Sequence, residues 1–254
     1  MPDQHPPNPE SAALRANTAS VVIIGDEVLA GEVVDLNGPF ILSHLATQGV
    51  RVLGLHVLPD EPAEVEFCIQ RASRAAECVI VTGGIGPTHD DITRLAVARA
   101  LGRPLVSHGE ATQRLESIFR RDSTPEERAM ALLPQGAELL LAPGIMAFGF
   151  RVLNVLVFPG VPRLLGAIFL ANLERIGGRT VHRRELRTEL REGLLAAPLS
   201  ALAARWPELR WGSYPELTET GWTLRLVLRG RDPDELDAAF GMLKDMVVRL
   251  ETRP

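Results

Sequence analysis

Three glycines within four residues and two adjacent aspartates stand in TGGIGPTHDDIT, Thr82 to Thr93. Gly83, Gly84 and Gly86 permit positive φ and a close main-chain approach, while Pro87 stiffens the exit, so N–H groups can converge on an anion. Thr82, Thr88 and Thr93 add hydroxyls to the same phosphate cradle. Thr88 and Asp91 have the spacing of a capping box, which predicts a helix start here with Asp90 and Asp91 beside its positive end. Adjacent helical residues diverge by roughly 100°. One carboxylate can therefore satisfy the backbone while the other faces the ligand and holds a hard divalent cation (Mg²⁺, Mn²⁺ or Co²⁺) against phosphate. Asp90 and Asp91 are the expected catalytic residues. The alternative is a glycine-rich turn with a capped helix and nothing bound, although two carboxylates plus Thr93 exceed what a cap requires. Neither the Gly-Lys-Ser/Thr of a P-loop nor GxGxxG spacing is present.

A second acidic feature lies at Gly25-Asp26-Glu27, where the apolar run Ser20 to Ile24 ends. The expected metal ligands are thus Asp26, Glu27, Asp90 and Asp91. Gly25, Asn37 and Gly160 join the loop residues as expected ligand-binding positions, because they too fall where strands give way to helices.

The elements that must position these residues alternate. Asp35 and Asn37 open a helix with the apolar face Leu36, Phe40, Ile41 and Leu45, closed by Gly49. Val50 to Leu58 reads as a strand, and Asp60 as the cap of a helix from Pro62 to Ala76. Cys78 to Val81 delivers the chain to the glycine loop. Thr124, with Glu127 at the box position, starts a helix expected to run from Pro125 to Leu132. Ala137 to Leu141 and Val152 to Phe158 are expected strands around a bend at AFGF, 147–150, and the second enters Pro159-Gly160-Val161-Pro162 before another helix. Strands alternating with helices imply a mostly parallel sheet with ligands at the strands' carboxyl ends.

Gly177-Gly178 breaks this pattern. The expected division is a disordered tail over 1–17, an α/β domain over 18–176 and a small α+β domain of order βαββα over 177–254. Tyr214, Trp206, Trp211 and Trp222 of the small domain read as interface or core anchors rather than a stacking surface. That domain has no glycine-rich anion loop and no acid cluster, so stability or assembly is its expected contribution.

With 46% hydrophobic residues among 254, the chain can bury a sizeable core. Its net charge of −5 and the lack of a dense Lys/Arg run speak against nucleic acid or an anionic membrane as partner. Cys68 and Cys78 show no metal or disulfide spacing and read as reduced thiols of a cytoplasmic protein. His89 reads as a solvent-facing loop residue.

The motifs IIGDEVLAGEVVDLN, TGGIGPTHDDIT and FPGVP resemble those of the competence/damage-inducible protein A (CinA) family, within the wider group of molybdopterin-binding domains. The resemblance covers about 19–173 and extends to GSYPELTETGWTLRLVLRG at 212–230, similar to the small domain of short, standalone members. It implies a three-layer α/β/α fold and a homo-oligomer. It also implies one of two functions, each using a small phosphate-bearing ligand. One is metal-dependent hydrolysis of a dinucleotide diphosphate such as ADP-ribose or FAD. The other is non-catalytic binding of molybdopterin or a related ligand. Longer members carry an amidase domain, whose activity is not carried over. Where members have Asn-Pro-x-Gly-x-Ala-Pro-Gly, this chain has Ala142 and Phe148 for the asparagine and a proline, and Arg163-Leu164 replace the Ser-Glu that follows PGVP.

Overall fold

Consecutive apolar residues of the strand Thr18–Ile24 (β1) send their side chains into two different cores. Val22 and Ile24 pack on one face and Val21 and Ile23 on the other, the two-residue period of a strand covered on both sides. The computed structural model describes residues 14–119, 123–177, 180–219 and 221–252.

After β1 come a one-turn helix Asp26–Leu29 (α1), helix Asn37–Thr47 (α2), strand Arg51–Leu58 (β2), helix Pro62–Ala75 (α3) and strand Cys78–Thr82 (β3). Helix Thr93–Ala100 (α4), strand Leu105–Ser107 (β4), helices Gly109–Phe119 (α5) and Pro125–Ala129 (α6), and strand Leu132–Pro134 (β5) follow. Strands Glu138–Ala142 (β6), Ile145–Val152 (β7) and Val155–Phe158 (β8) then lead into helix Pro162–Ile176 (α7). The main sheet has the order β2-β1-β3-β8-β7-β6, with β2, β1, β3 and β8 parallel and β7 and β6 antiparallel to their neighbours. Val65, Ala96 and Leu115 bring α3, α4 and α5 to one face; Ile41 and Phe169 bring α2 and α7 to the other. The result is three layers, helix–sheet–helix.

The chain separates into two compact units, Met1–Gly178 and Arg179–Pro254. The second contains strand His182–Thr188 (β9), helix Glu192–Ala204 (α8), strands Arg210–Thr218 (β10) and Gly221–Gly230 (β11), and helix Pro233–Glu251 (α9), with an antiparallel sheet in the order β10-β11-β9. Asp232 caps α9 through the Asp234 and Glu235 N–H groups, with Pro233 in the first turn. Trp206 and Trp211 pack against this unit's own core, whereas Trp222 is exposed and the Arg225 guanidinium lies 4.9 Å from the Tyr214 ring centre. Among the described residues no helix is long and apolar enough to cross a membrane.

Several expectations need correction. Residues 1–13 of the expected tail lie outside the described residues, but the Leu14 and Ala16 N–H groups bond Arg175 and Ile176 carbonyls at 2.7 and 2.8 Å, so 14–17 are docked on the first unit. AFGF is not a bend but the middle of β7. The turns are at Gly144 (φ 73) and Leu153 (φ 54), and Gly149 is needed because a Cβ there would collide with the Val157 carbonyl oxygen. The helix opened by the Thr124–Glu127 capping box ends at Ala129 rather than Leu132, because Leu132–Pro134 pairs with β4.

Candidate functional site

The loop after β3 is closed on itself by Asp91. One carboxylate oxygen accepts the Gly86 N–H at 2.6 Å and the other accepts the Thr88 N–H at 2.8 Å and the Thr88 hydroxyl at 2.6 Å. The capping-box expectation fails here, since α4 begins at Thr93 with Ile92 before it and no side-chain cap. Asp91 does what a capping carboxylate does, satisfying main-chain donors, but within the loop rather than at a helix end. Both of its oxygens are therefore engaged, which leaves Asp90 as the carboxylate of the pair that is open to a ligand.

Each glycine has its own reason. Gly83 (φ 102) lies so close to the Ile24 carbonyl that no Cβ would fit, and its N–H donates to the Phe158 carbonyl at 3.3 Å. Gly84 (φ 64) sits against the Thr93 hydroxyl, which itself donates to the Gly83 carbonyl at 2.8 Å from a fully buried position. Gly86 is packed on the Asp91 carboxylate, and Gly160 lies against Gly83. So the N–H groups of Gly83, Gly86 and Thr88, three expected phosphate donors, are already committed. Those of Gly84 and the unforeseen Ile85 make no hydrogen bond among the described residues.

Arg94, one residue past the motif, stiffens this stretch from the other side. Its Nη1 donates to the Gly86 carbonyl at 3.0 Å and to that of Ile85. Burial pulls the guanidinium below its ordinary value and Asp91 opposes the change; an arginine stays charged regardless. Two main-chain carbonyls turned toward Arg94 fix the loop just past the uncommitted Gly84 and Ile85 N–H groups.

The loop opens on a cleft of about 610 Å³ within the first unit. Its lining includes apolar Val34, Leu36, Phe148 and Leu164 together with Gly25, Glu27, Asp60, Asp90 and Asp91. Phe148, a departure from the family pattern, is thus a wall residue; Ala142 is buried in β6 and Arg163 is exposed in the first turn of α7. Asp60, expected as the cap of α3, instead accepts the Asp26 N–H at 2.9 Å, and Glu61 occupies the cap position without a side-chain bond. Burial raises the Asp60 pKa, and repulsion from Asp26, Glu27 and Asp90 raises it further, against the Asp26 N–H. Asp90 is exposed; the nearby Thr88 hydroxyl and then its own backbone N–H hold it below the usual carboxylate range, although the hydroxyl's one proton goes to Asp91. His89 is fully exposed with Nδ1 4.0 Å from Asp90.

Among the described residues no group of three or more His, Cys, Asp or Glu stands close enough to form a metal cage. The donor chemistry nevertheless suits a hard cation shared with a ligand. Mg²⁺ is commonly held by one or two carboxylates plus substrate phosphate oxygens and water, and Asp60 already feels the field of three neighbouring acids.

Asn37 crosses behind the loop. Its main-chain N–H donates to Asp35 at 2.8 Å, and its Nδ2 donates to the Gly160 carbonyl at 2.7 Å and the Thr82 hydroxyl at 3.4 Å. Thr82 in turn donates to the Pro159 carbonyl at 3.0 Å. Asn37, Thr82 and Gly160 thereby lock three strand-end turns together. The Cys78 thiol, which has no part in the cleft, is pushed up to about 12 by burial.

Residues 20–176 match the family described as a probable molybdopterin binding domain, and 180–251 match one described as the middle domain of FAD synthase. A protein of Thermococcus kodakarensis is 33% identical over 249 residues, covering 92% of this chain and 98% of its own. A CinA-like protein of a Mycobacterium species is 34% identical over 190 residues, 66% of this chain and 45% of that longer one. The crystal structure of a CinA protein from Thermoplasma acidophilum superposes with a TM-score of 0.58 at 30% identity, over 62% of this chain and 96% of that one. On these matches, and with this loop and sheet, the chain belongs to the CinA-like branch of the molybdopterin-binding-domain family.

Proposed function

We propose that the cleft binds a nucleotide diphosphate of the ADP-ribose or FAD kind and, with a divalent cation, hydrolyses it. The observation that carries this reading is the pair of uncommitted N–H groups at Gly84 and Ile85, on a loop clamped by Asp91 and Arg94. They open on a cleft that also holds Glu27, Asp60 and Asp90. Preorganised main-chain donors stabilise phosphate charge without having to reorganise during the reaction. The apolar wall would take the nucleotide's base, and the FAD synthase match beyond residue 180 is in keeping with a nucleotide ligand.

One or two of the cleft carboxylates Glu27, Asp60 and Asp90 would hold the cation together with the ligand's phosphate oxygens, and it would screen the phosphates and make a bound water more acidic. Asp91 keeps the phosphate-facing loop in shape. Asp90, ionised and exposed, orients the water that attacks one phosphorus. The bridging P–O bond breaks, two monophosphates leave, and the water's proton passes to solvent. Calorimetric titration of ADP-ribose tests the binding step. Binding should tighten when Mg²⁺ is added, and protein that ignores ADP-ribose and FAD but takes up a pterin phosphate would favour the binding-protein reading instead.

A further inference from the structure

Asn37 is 7% exposed, lines the cleft, and its Oδ1 has no hydrogen-bond partner. A buried carbonyl oxygen left unpaired is costly, so such an atom beside a cleft marks the place of a missing donor, which reaches it as the side chains over it move aside. The amide cannot turn over to escape. Exchanging its O and N would set Oδ1 against the Gly160 carbonyl, now 2.7 Å from Nδ2, and would remove the donor for Thr82, whose own proton is spent on Pro159. Asp35 fixes the backbone at the same point through the Asn37 and Gly38 N–H groups. The acceptor is rigid before any ligand arrives.

Its position says which donor. Gly160, which holds the amide, lies against Gly83, and Thr82 is two residues before Gly84, at most about 7 Å of extended chain. The donor therefore belongs to a part of the ligand close to the phosphate. In a ribosyl 5′-phosphate that group is a ring hydroxyl, whereas in a pterin phosphate the N–H donors lie on the ring system, remote from the phosphate.

We propose that Asn37 Oδ1 accepts a hydrogen bond from a ribose hydroxyl of the ligand and so selects ribosyl phosphates; this rests on the nucleotide reading of the cleft. A site built around a buried acceptor rejects analogues that lack the matching hydroxyl.

The test compares AMP with its 2′,3′-dideoxy analogue by calorimetry, with Mg²⁺ present. The wild-type protein should bind the analogue more weakly by about tenfold or more, and Asn37→Ala should bind both equally. A second measurement needs no variant: in ¹⁵N-labelled wild-type protein the Asn37 Nδ2 resonances should shift with AMP and stay in place with the analogue. Equal wild-type affinities, or a variant that still discriminates, overturn the inference while nucleotide binding stands. If neither nucleotide binds and a pterin phosphate does, the nucleotide reading falls and this inference with it.

Discussion

The Asp91 carboxylate takes the Gly86 N–H at 2.6 Å across a five-residue loop, and that bond separates the two aspartates into a structural one and an open one. Asn at position 91 would present an NH₂ to one of the two main-chain donors now satisfied. Asp91→Asn should therefore cost about 1–3 kcal/mol of stability. Hydrogen exchange should show it locally, with the Gly86 and Thr88 amides losing protection while β1 keeps its own.

Gly84→Ala should damage fold and binding together. A side chain at φ 64 costs about 1–2 kcal/mol, and its Cβ would press on the Thr93 hydroxyl rather than fill the ligand's place. Thermal unfolding and ADP-ribose titration should both report a loss. An intact melting temperature with lost binding would put the side chain in the anion site instead.

Two stretches with the same capping spacing show how much was legible. Thr124 and Glu127 form the reciprocal box that the sequence predicts, because Pro125 follows and a helical turn follows that. Thr88 and Asp91 have the same spacing but close on Gly86, and a pattern of types does not distinguish a helix end from a loop clasp. The apolar runs of β1 and β3 are readable because burial on both faces leaves hardly any solvent-facing position. The sheet's antiparallel end is hidden in the sequence because Gly149 suggests a turn but serves close packing. Asn37 was legible only as a residue near a helix start. Its partner Gly160 is 123 positions away, so the orphaned oxygen appears only in the folded chain.

Asp60 has a raised pKa, first from burial and then from its acidic neighbours. The sign follows: its carboxyl favours the folded state below the ordinary carboxylate pKa of about 3.9, and this contribution is lost as pH rises through the higher folded value. Asp60→Asn, which can still accept the Asp26 N–H, should melt higher than wild type at neutral pH and converge with it in acid. Calorimetry across that range checks the direction. Added Mg²⁺ should narrow the neutral-pH gap by stabilising the wild type more than the variant.

Asp90→Asn touches an exposed side chain whose one main-chain partner is its own N–H, which an Asn oxygen can still accept, so the melting temperature should hold. Turnover should fall by about 10²-fold or more, with ADP-ribose still bound in titration. Lost binding together with lost turnover would assign Asp90 to ligand capture alone.

Phosphorus NMR of ADP-ribose incubated with the wild-type protein tests hydrolysis directly. With Mg²⁺, Mn²⁺ or Co²⁺ the diphosphate resonances should give way to those of AMP and ribose 5-phosphate, and chelator should stop the change. A diphosphate that survives all three metals, in protein that binds a pterin phosphate tightly, would contradict the hydrolase reading.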